Sequence, residues 1–329
     1  LFLKSKNVVA LSSGTAAIHL SLRILGVKKG DFVICQSLTF VGSANPILYC
    51  NAEPIFIDSE TETWNMCPLL LEKAINDSLK INKKPKAIIL VHLYGMPAKI
   101  NEIKEISKKY DIPLIEDAAE ALGSNYDGIP LGTIGDFGIL SFNGNKIITT
   151  SGGGALISSN FEHIKKAKFL SSQAKENTIY YQHKEIGYNY RISNVLAAIG
   201  LGQIEQIDKK IKIRRNNFTL YKKYLNNIEE ISFLEEPRNF YSNRWITTIL
   251  VSSRNGFCKE KIINNLRKNK IESRPIWKPM HLQPLYNKYK FYSNNSSEKL
   301  FDLGLCLPSG TTLTEDQISK ISQIIISSK

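Results

Sequence analysis

The chain has few of the residue patterns that mark metal, disulfide or membrane chemistry. Its five histidines, His19, His92, His163, His183 and His281, show neither His-Glu-x-x-His nor another ligand spacing, so no metal site is expected. Its five cysteines, Cys35, Cys50, Cys67, Cys258 and Cys306, are odd in number and include no Cys-x-x-Cys pair. That usage fits reduced, buried thiols in a cytoplasmic protein rather than a disulfide framework. No apolar run approaches the ~18 residues of a membrane span, and residues 1–7 carry no signal-peptide pattern. Acidic residues are also scarce, 30 against 43 basic ones, for a net charge of +13. Such a balance raises nucleic acid or an anionic membrane as partners. The lysines, however, are scattered along helical faces (Lys104, Lys108, Lys109; Lys209, Lys210, Lys212), with no compact basic block interleaved with aromatics. Neither partner is therefore expected, and the basic field suits attraction of an anionic small substrate.

What is present is enough apolar residue for a large core: 329 residues, 43% hydrophobic. A length beyond the ~250–300 residues at which single cores stop growing argues for two unequal domains. Seven strand-like segments, 8–11, 32–36, 54–58, 87–92, 113–116, 137–142 and 154–157, alternate with helix-like ones. Continuous apolar runs such as Ala-Ile-Ile-Leu-Val indicate strands covered on both faces, hence an α/β fold with a mostly parallel seven-stranded sheet. The last two segments are joined by a connection too short for a crossover helix, so the sheet should be mixed. From Ile204 onward Ile207, Ile211, Phe218, Tyr221 and Leu225 recur at helical spacing. A bridging helix should join a large domain, 1–204, to a smaller C-terminal α/β domain, 205–329. The latter should hold a strand at 245–251, a helix at 259–268, a Pro-rich stretch at 274–284, a loop at 293–297 and a last helix started by Thr314.

Three segments carry residues suited to chemistry. Lys146 follows the apolar run 137–142 and precedes Ile-Ile-Thr-Thr-Ser-Gly-Gly-Gly, a setting that suits close backbone approach to a ligand. A desolvated amine there can be neutral near pH 7 and form Schiff bases, although the same residue would serve as an ordinary loop lysine. In Ser12-Ser13-Gly14-Thr15-Ala16-Ala17 a strand gives way to a hydroxyl-rich turn and then a helix, 19–25. Free N–H groups at a helix start, with Gly14 and the Thr15 hydroxyl, outline an anion site, or equally a plain Ser/Thr cap. Neither a P-loop nor Gly-x-Gly-x-x-Gly is present. In Glu116-Asp117-Ala118-Ala119-Glu120 acids appear where an apolar strand ends, the edge at which open α/β sheets collect ligands. An aspartate there can hold a heteroaromatic N–H⁺, or merely cap a helix.

Together these segments offer a phosphate cradle, a pyridinium partner and an aldehyde-binding amine, the three requirements of pyridoxal 5′-phosphate. Ser-Ser-Gly-Thr-Ala-Ala, Glu-Asp-Ala-Ala-Glu-Ala-Leu-Gly and Ser-Phe-Asn-Gly-Asn-Lys-Ile-Ile-Thr-Thr-Ser-Gly-Gly-Gly resemble, in wording and order, the DegT-type sugar aminotransferases. The resemblance continues through Gly187 to Arg191, Arg274 to His281 and Cys306 to Thr311. It implies the type I pyridoxal-phosphate transferase fold (aspartate aminotransferase-like). Glu120, where the wider family commonly has glutamine or histidine, resembles the branch serving bacillosamine synthesis. That branch aminates C4 of a UDP-linked 4-keto-6-deoxy-N-acetylhexosamine with L-glutamate.

By this resemblance Lys146 holds the cofactor covalently and carries the proton, Asp117 pairs with the pyridine nitrogen, and Glu120 lies near the phenolic oxygen, protonated if neighbouring anions disfavour its charge. Gly14, Thr15, Ala16 and Ser141 hold the phosphate, while Phe40 and Ala119 take the two ring faces. Asn189 reaches the phosphate of a neighbouring subunit, which implies a homodimer with shared sites. His183, Arg191, Arg274 and His281 are substrate-binding candidates, with Arg244 a further basic residue in reach. The resemblance also implies a segment with a helix ahead of the part matching Leu1. A deoxysugar dehydratase on this fold would carry histidine in place of Lys146. A basic nucleic-acid-binding regulator, the non-enzyme rival, predicts salt-sensitive DNA binding and no chromophore.

Overall fold

A computed structural model describes residues 2–3, 7–254 and 256–329. The large sheet runs in the order Val8–Leu11, Gly154–Ile157, Phe137–Ser141, Leu114–Asp117, Ala87–Val91, Phe32–Gln36, Glu53–Ile57 and Phe291–Tyr292. All seven expected strands are there, with ends shifted by a residue or so. The count is corrected to eight, because Phe291–Tyr292 returns from far along the chain to pair in parallel with Glu53–Ile57. Two residues beside lysines gave no periodic signal of that return. The sheet is mixed: Gly154–Ile157 is antiparallel to both its neighbours, Val8–Leu11 and Phe137–Ser141.

Phe32–Gln36 and Ala87–Val91 are buried at every position, as strands covered on both faces must be. Side chains alternate between the two layers. Val33, Cys35 and Ile89 join one core with Ala17, Ile18 and Leu20 of the helix Gly14–Ile24. Ile34, Ile88 and Leu90 join another with Leu71 and Ile75 of Pro68–Lys80 and Ile100 and Ile103 of Ile100–Tyr110. Helix Gly14–Ile24 begins five residues before the expected 19, because Ser13 is its cap and the hydroxyl-rich turn is its first turn. Gly154 permits this close seat, since a Cβ there would lie 2.4 Å from the Ser13 carbonyl carbon. Its need for glycine therefore comes from packing against protein backbone, whereas Gly152 of the same run borders open space.

The expected bridging helix is interrupted: Asn194–Ile204 ends before Ile207–Leu225 begins, so Ile204 belongs to the earlier helix. Ile207–Leu225 leads to a four-stranded antiparallel sheet ordered Ile231–Phe233, Thr247–Val251, Gly304–Leu307 and Arg274–Pro275. Helices Lys259–Lys268 and Glu315–Ile326 cover it through Ile262, Leu266, Ile318, Ile321 and Ile325. Thr314 caps the last helix in a reciprocal box with Gln317. The 293–297 segment is no plain loop. Ser296 and Ser297 open the helix Ser296–Leu303, and their N–H groups donate to the Asp58 carboxylate at 3.2 and 2.9 Å, an anion at the positive end of a helix. Among the described residues no helix is long and apolar enough to cross a membrane.

Candidate active site

The topology brings several chain segments to one edge of the large sheet. Val8–Leu11, Phe32–Gln36, Ala87–Val91, Leu114–Asp117 and Phe137–Ser141 all end there, and the antiparallel Gly154–Ile157 starts there. A cavity of about 350 Å³ opens at this edge, within the ~300–1,000 Å³ range of ligand pockets. Of the expected cofactor residues, Gly14, Thr15, Phe40, Asp117, Ala119, Glu120, Ser141 and Lys146 line it.

Asp117 is nearly buried, its Oδ2 accepting from the Ser43 hydroxyl at 2.6 Å and its Oδ1 from the Ala119 N–H at 3.1 Å. Ser43 has one hydroxyl proton and gives it to Asp117, so Thr39 Oγ1, 2.8 Å away, must donate to Ser43. No cation pairs with Asp117 among the described residues. A buried carboxylate so prepared calls for a positively charged N–H from a ligand. Glu120 Oε2 accepts the Tyr94 N–H at 2.6 Å, and Oε1 lies 3.5 Å from Lys146 Nζ. Burial raises the Glu120 carboxyl to about 7, with Lys146 and the Tyr94 N–H opposing and Asp117 adding a smaller upward push. Burial therefore leads, rather than the repulsion between anions expected from the sequence. Lys146 is 10% exposed, and its Nζ sits 4.2 Å from the centre of the Trp245 ring.

At the opposite wall Ser13 Oγ takes the Ala16 N–H at 3.0 Å, leaving the N–H groups of Gly14 and Thr15 without intrahelical acceptors. Ala16 is buried with its N–H spent in this cap and does not line the cavity. A helix start with a serine and a threonine hydroxyl, an unpaired buried carboxylate and a shielded amine fit the phosphate, ring nitrogen and aldehyde of pyridoxal 5′-phosphate.

Other expected residues are not gathered here. His183 is exposed, with Nδ1 2.8 Å from the Gln173 carbonyl. Asn189 and Arg191 are exposed, and their backbones bridge to Ser172 and Leu11. Arg274 is exposed and paired with Glu272, on a groove that shares Asn145, Trp245 and Trp277 with the cavity. Arg244 is buried against Phe218 and Glu236. His281 is committed at both ring nitrogens, to Ser37 Oγ at 2.7 Å and Glu298 Oε1 at 3.2 Å, and is stacked on Phe291. It is a tie inside the fold and does not reach the cavity, which corrects its expected place beside a substrate. Sequence reasoning missed Ser43, Trp245 and Trp277. The chain has only three tryptophans, and two of them line one cavity; scarcity was the only signal the sequence offered for them.

EpsN of Bacillus subtilis, provisionally named a pyridoxal phosphate-dependent aminotransferase, is 50% identical over 98% of this chain and 83% of its own. A GDP-perosamine synthase of Escherichia coli O157:H7 is 38% identical over 96% of this chain and 84% of its own. Among solved structures, a DegT DnrJ EryC1 StrS aminotransferase from Brucella abortus superposes with a TM-score of 0.92 at 29% identity, covering 99% of this chain and 87% of that one. The fold is accordingly that of the type I pyridoxal-phosphate transferases. With the family's sequence profile matching residues 1–326, the chain belongs to the DegT/DnrJ/EryC1/StrS aminotransferase family, whose cofactor is pyridoxal 5′-phosphate.

Proposed function

We propose that this chain transfers the amino group of L-glutamate to C4 of a UDP-linked 4-keto-6-deoxy-N-acetylhexosamine, in a pathway of the bacillosamine type. The observation that carries the transaminase part of the reading is the grouping of Lys146, Glu120 and Asp117 around one cavity beside an open helix start; the choice of acceptor rests on the resemblance at Glu120. When bound, pyridoxal 5′-phosphate supplies an aldehyde carbon that bonds to an amine with loss of water, and a ring that takes up electrons. Lys146, at the cavity wall, would hold it and would be the group placed to carry a proton at its own Nζ. Asp117, held by Ser43 and Ala119, keeps the ring nitrogen protonated. Glu120, which lines the cavity beside Lys146, would hold or release a proton near neutral pH toward a ring oxygen of the bound group. Gly14, Thr15 and Ser141 receive the phosphate, while Phe40 and Ala119 flank the ring.

We take the working form to be a cytoplasmic homodimer, organised as domains 1–204 and 205–329. Helix Asn194–Ile204 has no buried residue although Val195, Ile199 and Leu201 are apolar and exposed, a face that a second copy would cover. Asn189, exposed just before it, would then reach the partner's phosphate site, with His183, Arg191 and Arg274 available to anionic substrate groups. A Val195→Glu, Leu201→Glu double variant should be monomeric by light scattering and bind cofactor weakly. A dimeric, active variant rejects this arrangement.

A second reading, a GDP-linked 4-keto sugar as acceptor, is favoured by GDP-perosamine synthases at 38% and 36% identity. A UDP-4-amino-4,6-dideoxy-N-acetyl-beta-L-altrosamine transaminase from Campylobacter jejuni, at 34% over 286 residues, supports the UDP reading. The test is to incubate the protein with L-glutamate and each 4-keto sugar, following 2-oxoglutarate release and identifying the product by mass and NMR. Amination of the GDP sugar alone overturns the UDP reading. Release from neither acceptor overturns both.

A further inference from the structure

Trp245 touches the amine that the proposed function depends on, yet it arises about a hundred residues later in the chain. Its indole is 1% exposed, and the ring centre is 4.2 Å from Lys146 Nζ. Its Nε1–H donates to the Asn145 carbonyl at 2.8 Å. One side chain therefore contacts both the amine, by its π face, and the backbone immediately before Lys146.

Trp245 is itself clamped. Its N–H donates to Asn243 Oδ1 at 2.9 Å, and its carbonyl accepts from Arg214. The other end of the Asn243 amide donates to the carbonyls of Glu120 and Leu122 at 2.8 and 3.0 Å. Asn243 thus ties the segment bearing Glu120 to the main chain of Trp245 with one planar group. Gly95 makes room for it: a Cβ there, at φ +86°, would fall 2.0 Å from Asn243 Oδ1. Tyr94, at φ 54°, is left-handed for a bulky residue, and this turn aims its N–H at Glu120. Lys146 Nζ consequently lies between two preset attractors, the indole face and Glu120 Oε1.

We propose that Trp245 is a positioning residue for Lys146. It presents the amine to the aldehyde carbon of pyridoxal 5′-phosphate, and Asn243 sets it in register with Glu120. The inference rests on the cofactor chemistry of the proposed function. It predicts that Trp245 governs formation of the bond to Lys146, in which nitrogen joins the aldehyde carbon and the carbonyl oxygen departs as water, without governing how phosphate and ring are held.

The test uses cofactor-free protein and two probes. Pyridoxal 5′-phosphate can bond to Lys146, whereas pyridoxine 5′-phosphate, an alcohol at the same carbon, cannot. Trp245→Leu removes the π face and the N–H, while Trp245→Phe restores only a weaker π face. Trp245→Leu should weaken pyridoxal phosphate binding about tenfold through lost orientation of the amine and shift the pH midpoint of its visible band, with pyridoxine phosphate binding changed less than about twofold. Trp245→Phe should fall between wild type and Trp245→Leu. Equal loss for both probes, or no loss for either, overturns the proposal and leaves a merely structural tryptophan. Should Trp245→Leu show no cooperative melt, the same ratio measured on Trp245→Phe decides. Failure of the wild type to bind either probe instead overturns the proposed function on which the inference rests.

Discussion

The cavity around Lys146 and the cluster around His281 use similar parts to opposite ends. Ser37, His281 and Glu298 are linked in series by hydrogen bonds of 2.7 and 3.2 Å, the connectivity of a nucleophile, a base and an orienting acid. Yet Ser37 is fully buried, and His281 is sandwiched against Phe291. Neither residue lines the cavity near Lys146 or its neighbouring groove. Around Lys146, Glu120 and Asp117 the carboxylates are also hydrogen-bonded, but about 350 Å³ is open beside them. Reactive residue types in contact form a tie when the space is filled, and a site only when a ligand atom can enter.

The largest expected separation between the two regions comes from removing their central residues. Lys146→Ala should reduce glutamate-dependent amination by at least about 10³-fold and abolish the borohydride-trapped adduct, while cofactor-free protein melts close to wild type. His281→Ala should cost about 1–3 kcal/mol of stability, because buried Ser37 loses its hydrogen-bond partner and a ring-sized space opens, with cofactor attachment nearly intact in the folded fraction. Denaturant titration and borohydride trapping on both variants check this crossed pattern. A His281 variant of normal stability that fails to attach cofactor would collapse the distinction.

The pH dependence sharpens the comparison because the signs oppose. Burial raises Glu120 from the ordinary carboxylate value of 4.5 to about 7 in the fold, so the folded state binds its proton more tightly than the unfolded chain. Its contribution is fully present below about 4.5 and is lost as pH rises through about 7. Burial lowers His281 below 6.5, against an upward pull from Glu298 and Asp58. Its contribution is present above 6.5 and is lost as pH falls through the lowered value. Denaturant melts of cofactor-free protein from pH 8 to 5 should show Glu120→Gln removing a stabilisation gained on acidification, worth on the order of a few kcal/mol. His281→Gln should remove a smaller loss. Parallel slopes in the two variants would contradict the assignment.

The smallest effect concerns a region outside both clusters. Thr314→Ala removes the reciprocal cap of helix Glu315–Ile326 and should cost about 1 kcal/mol, with cofactor attachment unchanged. Loss of attachment would mean that the C-terminal helix communicates with the site.

Much of the site was legible because its pieces are local. Ser12 to Thr15, Asp117 to Glu120 and Ser141 to Lys146 each occupy a short strand end and turn, so composition and order marked them. Trp245 and Asn243 were not legible, since their meaning lies in contacts with residues about a hundred positions away. His281 was misplaced for the converse reason: its motif could be read, but the partners that occupy both ring nitrogens come from 244 positions before and 17 after.

By itself the sequence determined the α/β class, the seven principal strands and the family, because hydrophobic period, turn residues and short motifs are local properties of the chain. Tertiary structure alone decided the eighth strand, the break between helices Asn194–Ile204 and Ile207–Leu225, and which polar groups face open space. Those outcomes depend on where distant segments meet and on whether their side chains fill the gap. Lys146 was the expected anchor and His281 one of four expected substrate contacts, and three-dimensional packing left a cavity beside the first and closed over the second.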